Sequence, residues 1–165
     1  MNQIPNLIGR YRESGVLVDT NILLLYFVGA FDRTQVSRFK RTQKFAEEDH
    51  EILERFLGNF KKIVTTPNIL TEVSNLAGQL GEPAKRSCFE ILAQGITLLD
   101  EHYIQSKTVA KMGEFAGFGL TDSGIIHVSR GRFLVLTDEW KLAQYLENLG
   151  VHVLNFNHIR VLGWT

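Results

Sequence analysis

Short apolar runs alternate with longer segments in which apolar residues recur every three or four positions. Gly15-Val16-Leu17-Val18-Asp19 is such a run, closed by a carboxylate, and it reads as a buried strand. Similar runs at 61–65, 96–99, 133–136 and 151–154 predict four more strands. Between them lie helical patterns. Thr20-Asn21 offers cap chemistry for a helix over 22–30, and residues 36–57 hold the longest pattern. There Val36, Phe39, Ala46, Leu53, Phe56 and Phe60 fall on one face. Thr66-Pro67 opens a helix over 68–80, Gly95 stops one over 83–94, and another is expected over 101–115. After a break at Gly117-Phe118-Gly119, Thr121 can cap a helix over 122–130. Thr137 can cap the next, which Gly150 ends. The tail beyond the fifth strand carries little pattern.

Strands alternating with helices predict an α/β domain whose mostly parallel sheet is covered on both faces. No repeat or linker interrupts the 165 residues, so one domain is expected, with a core over about 15–155. Composition narrows the classes further. Forty-four per cent hydrophobic and 22% charged residues fit a folded rather than a disordered chain. Cys88 is the single cysteine, which excludes an internal disulfide framework and a cysteine-rich zinc site. Residues 1–15 lack the apolar core of a signal peptide, and the longest apolar stretch, 22–28, is too short to span a bilayer. These features predict a cytoplasmic protein with no membrane partner.

Four acids fall at telling places. Asp19 follows the first strand, Asp138 lies just past the fourth, Glu72 sits in the first two turns after the second, and Asp122 opens the helix before the fourth. The carboxyl ends of parallel strands share one edge, where ligands bind. Carboxylates gathered there must take up protons or a cation. Oxygen ligands suit Mg²⁺ or Mn²⁺ rather than Zn²⁺, and such ions serve phosphodiester hydrolysis with one or two bound. Each acid also has a simpler role available: Asp19 as a helix cap, Glu72 as a solvated helix residue, Asp122 and Asp138 as acids favoured at a helix start.

Val16-Leu17-Val18-Asp19-Thr20-Asn21, Thr71-Glu72-Val73, Leu120-Thr121-Asp122-Ser123-Gly124-Ile125-Ile126 and Leu134-Val135-Leu136-Thr137-Asp138 resemble, in order, the four signature segments of the PIN-domain nucleases. The resemblance implies a three-layer α/β/α fold around a five-stranded sheet. It implies a Mg²⁺- or Mn²⁺-dependent endonuclease acting on RNA, with Asp19, Glu72, Asp122 and Asp138 as its acidic residues. Thr20 or Asn21, and Thr137, would orient water or a carboxylate, though Asn21 and Thr137 serve equally well as caps. Many small members of that family are toxins of bacterial toxin–antitoxin pairs, so an antitoxin protein and a second copy of the chain are its expected partners. The chain departs from the compact toxins in its long helical segment near 33–60. It departs again in the run of Asp138 into Glu139-Trp140, which leaves open whether Glu139 joins Asp138 at the metal.

Eighteen basic residues balance eighteen acidic ones, so any nucleic-acid surface depends on where the charges sit. Arg38, Arg41 and Lys44 step by three and would form a stripe on a helix, a candidate RNA-positioning surface. Glu47, Glu48 and Glu51 follow closely, which equally suits a solvated face with Lys44–Glu48 pairing. The five histidines show no close metal-ligand spacing. Trp140 and Trp164 could stack on bases, with packing as the simpler role. A catalytically silent PIN-like module that binds RNA or protein is the alternative reading; the presence of all four acids favours catalysis. Asp19-Thr20-Asn21 lacks the Asp-x-Asp of haloacid-dehalogenase phosphatases and the paired acids of receiver domains.

Overall fold

The computed structural model describes residues 3–163, so Trp164 lies outside the described residues. Five strands form one sheet: β1 (Val16–Val18), β2 (Ile63–Thr65), β3 (Asp100–Glu101), β4 (Leu134–Thr137) and β5 (Val153–Asn155). Their order is β3-β2-β1-β4-β5, and every neighbouring pair is parallel. The architecture is the expected α/β/α type, with a wholly parallel sheet. In β1 and β4 every residue is buried, as the unbroken apolar runs require of strands covered on both faces. Leu17 pairs with Val64 on one side and Val135 on the other, so β1 is the central strand. The chain leaves β1 towards β2 and β3, then returns to add β4 and β5 on the opposite side. The carboxyl edge between β1 and β4 is therefore the point where strand order reverses, the place where such sheets bind ligands.

Asp19, not Thr20, caps α2 (Thr20–Phe31), and its side chain accepts from the Thr20 N–H. This helix is apolar on nearly all sides. Ile22, Leu23, Leu24, Leu25, Phe27 and Val28 are all buried, and α2 is the hub on which α5 (Pro67–Ala77) and α6 (Ala84–Ile96) pack. Thr66 caps α5, its hydroxyl accepting from the Ile69 N–H, with Pro67 at the first helical position.

The expected helix over 36–57 is two helices, α3 (Arg33–Arg38) and α4 (Glu47–Leu57), separated by turns. Phe39 leaves α3 in an extended conformation. Thr42 is wholly buried and its hydroxyl donates to the Val36 carbonyl, while Phe45 packs edge-on to Phe156. The acids Glu47, Glu48 and Asp49 open α4, where the helix dipole favours them, so a new start there is preferred to continuation. The third strand also differs from the 96–99 expected. Helix α6 runs through Ile96, Leu98 is exposed, and the edge strand forms at Asp100–Glu101. Residues 102–105 form neither helix nor strand, and only α7 (Ser106–Ala110) remains of the helix expected over 101–115.

Helix α8 (Phe115–Ser129) is broken at Gly119, whose φ of 78° lies in the left-handed region open to glycine. The residues after that kink are the helix expected over 122–130. Thr137 does not cap α9 (Trp140–Asn148); Glu139 stands at that cap position. Two further helices bracket the domain, α1 (Ile4–Tyr11) and α10 (Phe156–Val161), where the pattern had given no element. Cys88 is buried within α6, and burial pushes its thiol up to about 11, in keeping with a small core residue. Among the described residues no helix is long and apolar enough to cross a membrane.

Candidate metal centre

Asp19 leaves β1 at the sheet's carboxyl edge, and its N–H still donates to the Leu136 carbonyl of β4 at 2.9 Å. Its carboxyl is held at both oxygens. Oδ1 accepts from the Thr20 N–H at 2.7 Å, and Oδ2 accepts from the Thr137 hydroxyl at 2.6 Å. Asp122 arrives from α8, whose kink at Gly119 starts a fresh helical segment pointing at this edge. Glu139 comes from the extended residues between β4 and α9, and its N–H donates to the Thr137 hydroxyl at 3.0 Å. One carboxylate oxygen from each of Asp19, Asp122 and Glu139 lies within 4.8 Å of the other two.

The electrostatics show how poorly this trio tolerates its own charge. Burial raises Asp19 from its ordinary 3.8 to about 7; the Thr137 and Thr20 hydrogen bonds oppose the rise, and the Glu139 and Asp138 charges add to it. Asp122 also rises to about 7, through burial and then the charges of Asp19, Glu139 and Glu72, with Lys141 opposing. Glu139 is raised by burial, then by Asp138 and Glu72, and eased by Lys44. A divalent cation would relieve all three.

Glu72 and Asp138 are near neighbours of this trio but are otherwise engaged. Glu72, exposed on α5, accepts from the Thr121 hydroxyl and so ties α5 to α8 one residue before Asp122. Asp138 has a side chain only 1% exposed, and each of its oxygens faces a donor. Oδ1 accepts from Asn21 Nδ2 at 3.4 Å and Oδ2 from Lys44 Nζ at 2.5 Å. The four acids expected at one edge are thus at one edge, but Glu139 stands with the trio in place of Asp138 and Glu72. The chain bends at Asp138 and is extended at Glu139, so the two adjacent acids leave β4 in different directions. The adjacent pair of acids after the strand was the signal available for Glu139.

Thr137 orients Asp19 as expected, and Asn21 orients Asp138. The Thr20 hydroxyl meets neither acid. It is buried without a hydrogen-bond partner among the described residues, as is the Ser123 hydroxyl beside Asp122. The donor set is oxygen alone, with two orphaned hydroxyls next in sequence to two of the acids, and it fits a hard metal ion. The basic stripe does not form. Arg38 ends α3, Arg41 lies in the turns and donates to Gln79 at 2.7 Å, and Lys44 faces Asp138. Trp140, at the start of α9, is 70% exposed. No protein-family model matches the chain, and no curated protein matches it.

Proposed function

We propose that the protein is a divalent-metal-dependent endoribonuclease of the PIN-domain type, hydrolysing phosphodiester bonds at the carboxyl edge of β1 and β4. The observation that carries this reading is the convergence of Asp19, Asp122 and Glu139 oxygens within 4.8 Å at the strand-order reversal. Their shared electrostatic strain calls for a cation, and oxygen ligands select Mg²⁺ or Mn²⁺. When bound, such an ion acidifies water and offsets charge on the leaving oxygen. The chain's own part is to hold it. Thr137 and the Thr20 N–H fix both oxygens of Asp19, so the buried ligand cannot swing. The Thr121–Glu72 bond anchors the segment that carries Asp122. Glu139, the exposed member of the trio, sets the solvent side of the site.

Incubation of the purified chain with single-stranded RNA and Mg²⁺ or Mn²⁺ tests the reading. Cleavage is expected with either metal and none in EDTA. Asp19→Asn is expected to lower the rate at least ~100-fold while its circular dichroism matches the parent; removal of a group that stabilises transition-state charge typically has that effect. Cleavage by Asp19→Asn at the parent's rate overturns the assignment.

A further inference from the structure

Lys44 sits at an unusual address for a lysine in a turn. Its Nζ lies 2.5 Å from Asp138 Oδ2, and the Asp138 side chain is only 1% exposed whereas that of Lys44 is 53% exposed. A carboxylate so far out of water needs a paired cation, and this lysine is the cation. The segment that carries it is fastened from several sides. Phe45 is buried against Phe156, Arg160 donates to the Lys44 carbonyl at 3.2 Å, and the same guanidinium pairs with Asp49 at 3.1 Å. The ammonium is thus delivered by the fold to the flank of the acidic trio, beside the residue adjoining Glu139.

We propose that Lys44 supplies the second positive charge of this site, so that the centre takes one divalent ion where a two-metal centre would take two. The inference rests on the metal-centre reading above. A second ion about 3.5–4 Å from the first would need further carboxylate oxygens. Asp138 is a buried source next in sequence to Glu139, but Lys44 pairs with its Oδ2 at 2.5 Å and Asn21 Nδ2 stands 3.4 Å from its Oδ1. With half its side chain in contact with solvent, the ammonium can also meet an incoming phosphate oxygen while it stays paired with Asp138.

Equilibrium dialysis of the full chain against Mn²⁺ at pH 8 tests this without any cleavage readout. The parent is expected to hold one Mn²⁺ per chain, Lys44→Arg one, and Lys44→Met two. Two ions on the parent, or one on a folded Lys44→Met, overturns the proposal and leaves the metal centre standing. Mn²⁺ bound by the parent but equally by Asp19→Asn, or no Mn²⁺ on the parent at all, overturns the metal centre and the proposal together. If Lys44→Met does not fold, Lys44→Gln is measured in its place, with two ions expected and one overturning the proposal.

Discussion

The Thr137 hydroxyl accepts from the Glu139 N–H and donates to Asp19 Oδ2, so one buried side chain positions two of the three acids of the trio. Thr137→Val keeps the shape and removes both bonds. Metal affinity is expected to fall by roughly 10–100-fold, the usual effect of losing a ligand's supporting hydrogen bond. Titration calorimetry with Mn²⁺ measures it, and an affinity within threefold of the parent counts against the role. At this scale much was legible beforehand. Asp19, Asp122 and Thr137 lie together at the carboxyl edge to which their places beside strand ends pointed. The roles of Asp138 and Glu139 were not, because they depend on which of two adjacent side chains turns towards the cleft. Lys44 was read as part of a helical stripe, yet its partner Asp138 is 94 residues away in sequence and no local pattern registers it.

Helix α2 shows why the central elements could be read and the peripheral ones less so. Its unbroken apolar sequence admits only a buried helix, and the short apolar strands are equally unambiguous between polar or glycine-bearing ends. The 36–57 pattern misled because Phe39 is buried through a turn and not through helical periodicity, with Thr42 turned inward to bond the Val36 carbonyl. The edge strand β3 has two residues, too few for any alternation to show. Close packing around α2 yields a sharp expectation. A Cβ on Gly29 would lie 2.1 Å from the His50 ring. That ring is buried, and its Nε2–H donates to the Tyr26 carbonyl at 3.0 Å, so it cannot move aside without losing a buried bond. Gly29→Ala is expected to destabilise the protein by about 1–3 kcal/mol. Gly9→Ala, in α1 with open space around it, should be neutral or slightly stabilising. Thermal denaturation of the two variants side by side distinguishes crowding at α2 from a general cost of replacing glycine.

For the whole molecule, the acidic centre makes stability depend on pH in an uncommon direction. Asp19 and Asp122 have folded-state values near 7 against an ordinary 3.8, so the folded chain binds their protons more tightly than the unfolded one. Their contribution is complete below about pH 4 and is lost as pH rises through 7. Burial lowers His50, which acts in the opposite sense as pH falls, so the comparison must be made against a variant. Without metal, Asp19→Asn is expected to be more stable than the parent at pH 8, by on the order of 2–4 kcal/mol, with the gap narrowing at pH 5 and closing near pH 4. Mg²⁺ at 100 times its dissociation constant should then raise the parent's melting temperature at pH 8 by about 5–10 °C and do little at pH 5. A melting temperature independent of both pH and Mg²⁺ would show that the acids are not strained. The strand order carries one more consequence, in time rather than space. Asp19 waits for a hydroxyl 118 residues further along the chain. At synthesis rates of 5–20 residues per second that wait is roughly 6–24 s. Throughout it the central strand lacks its β4 neighbour, and no nascent chain shorter than residue 139 holds the three acids.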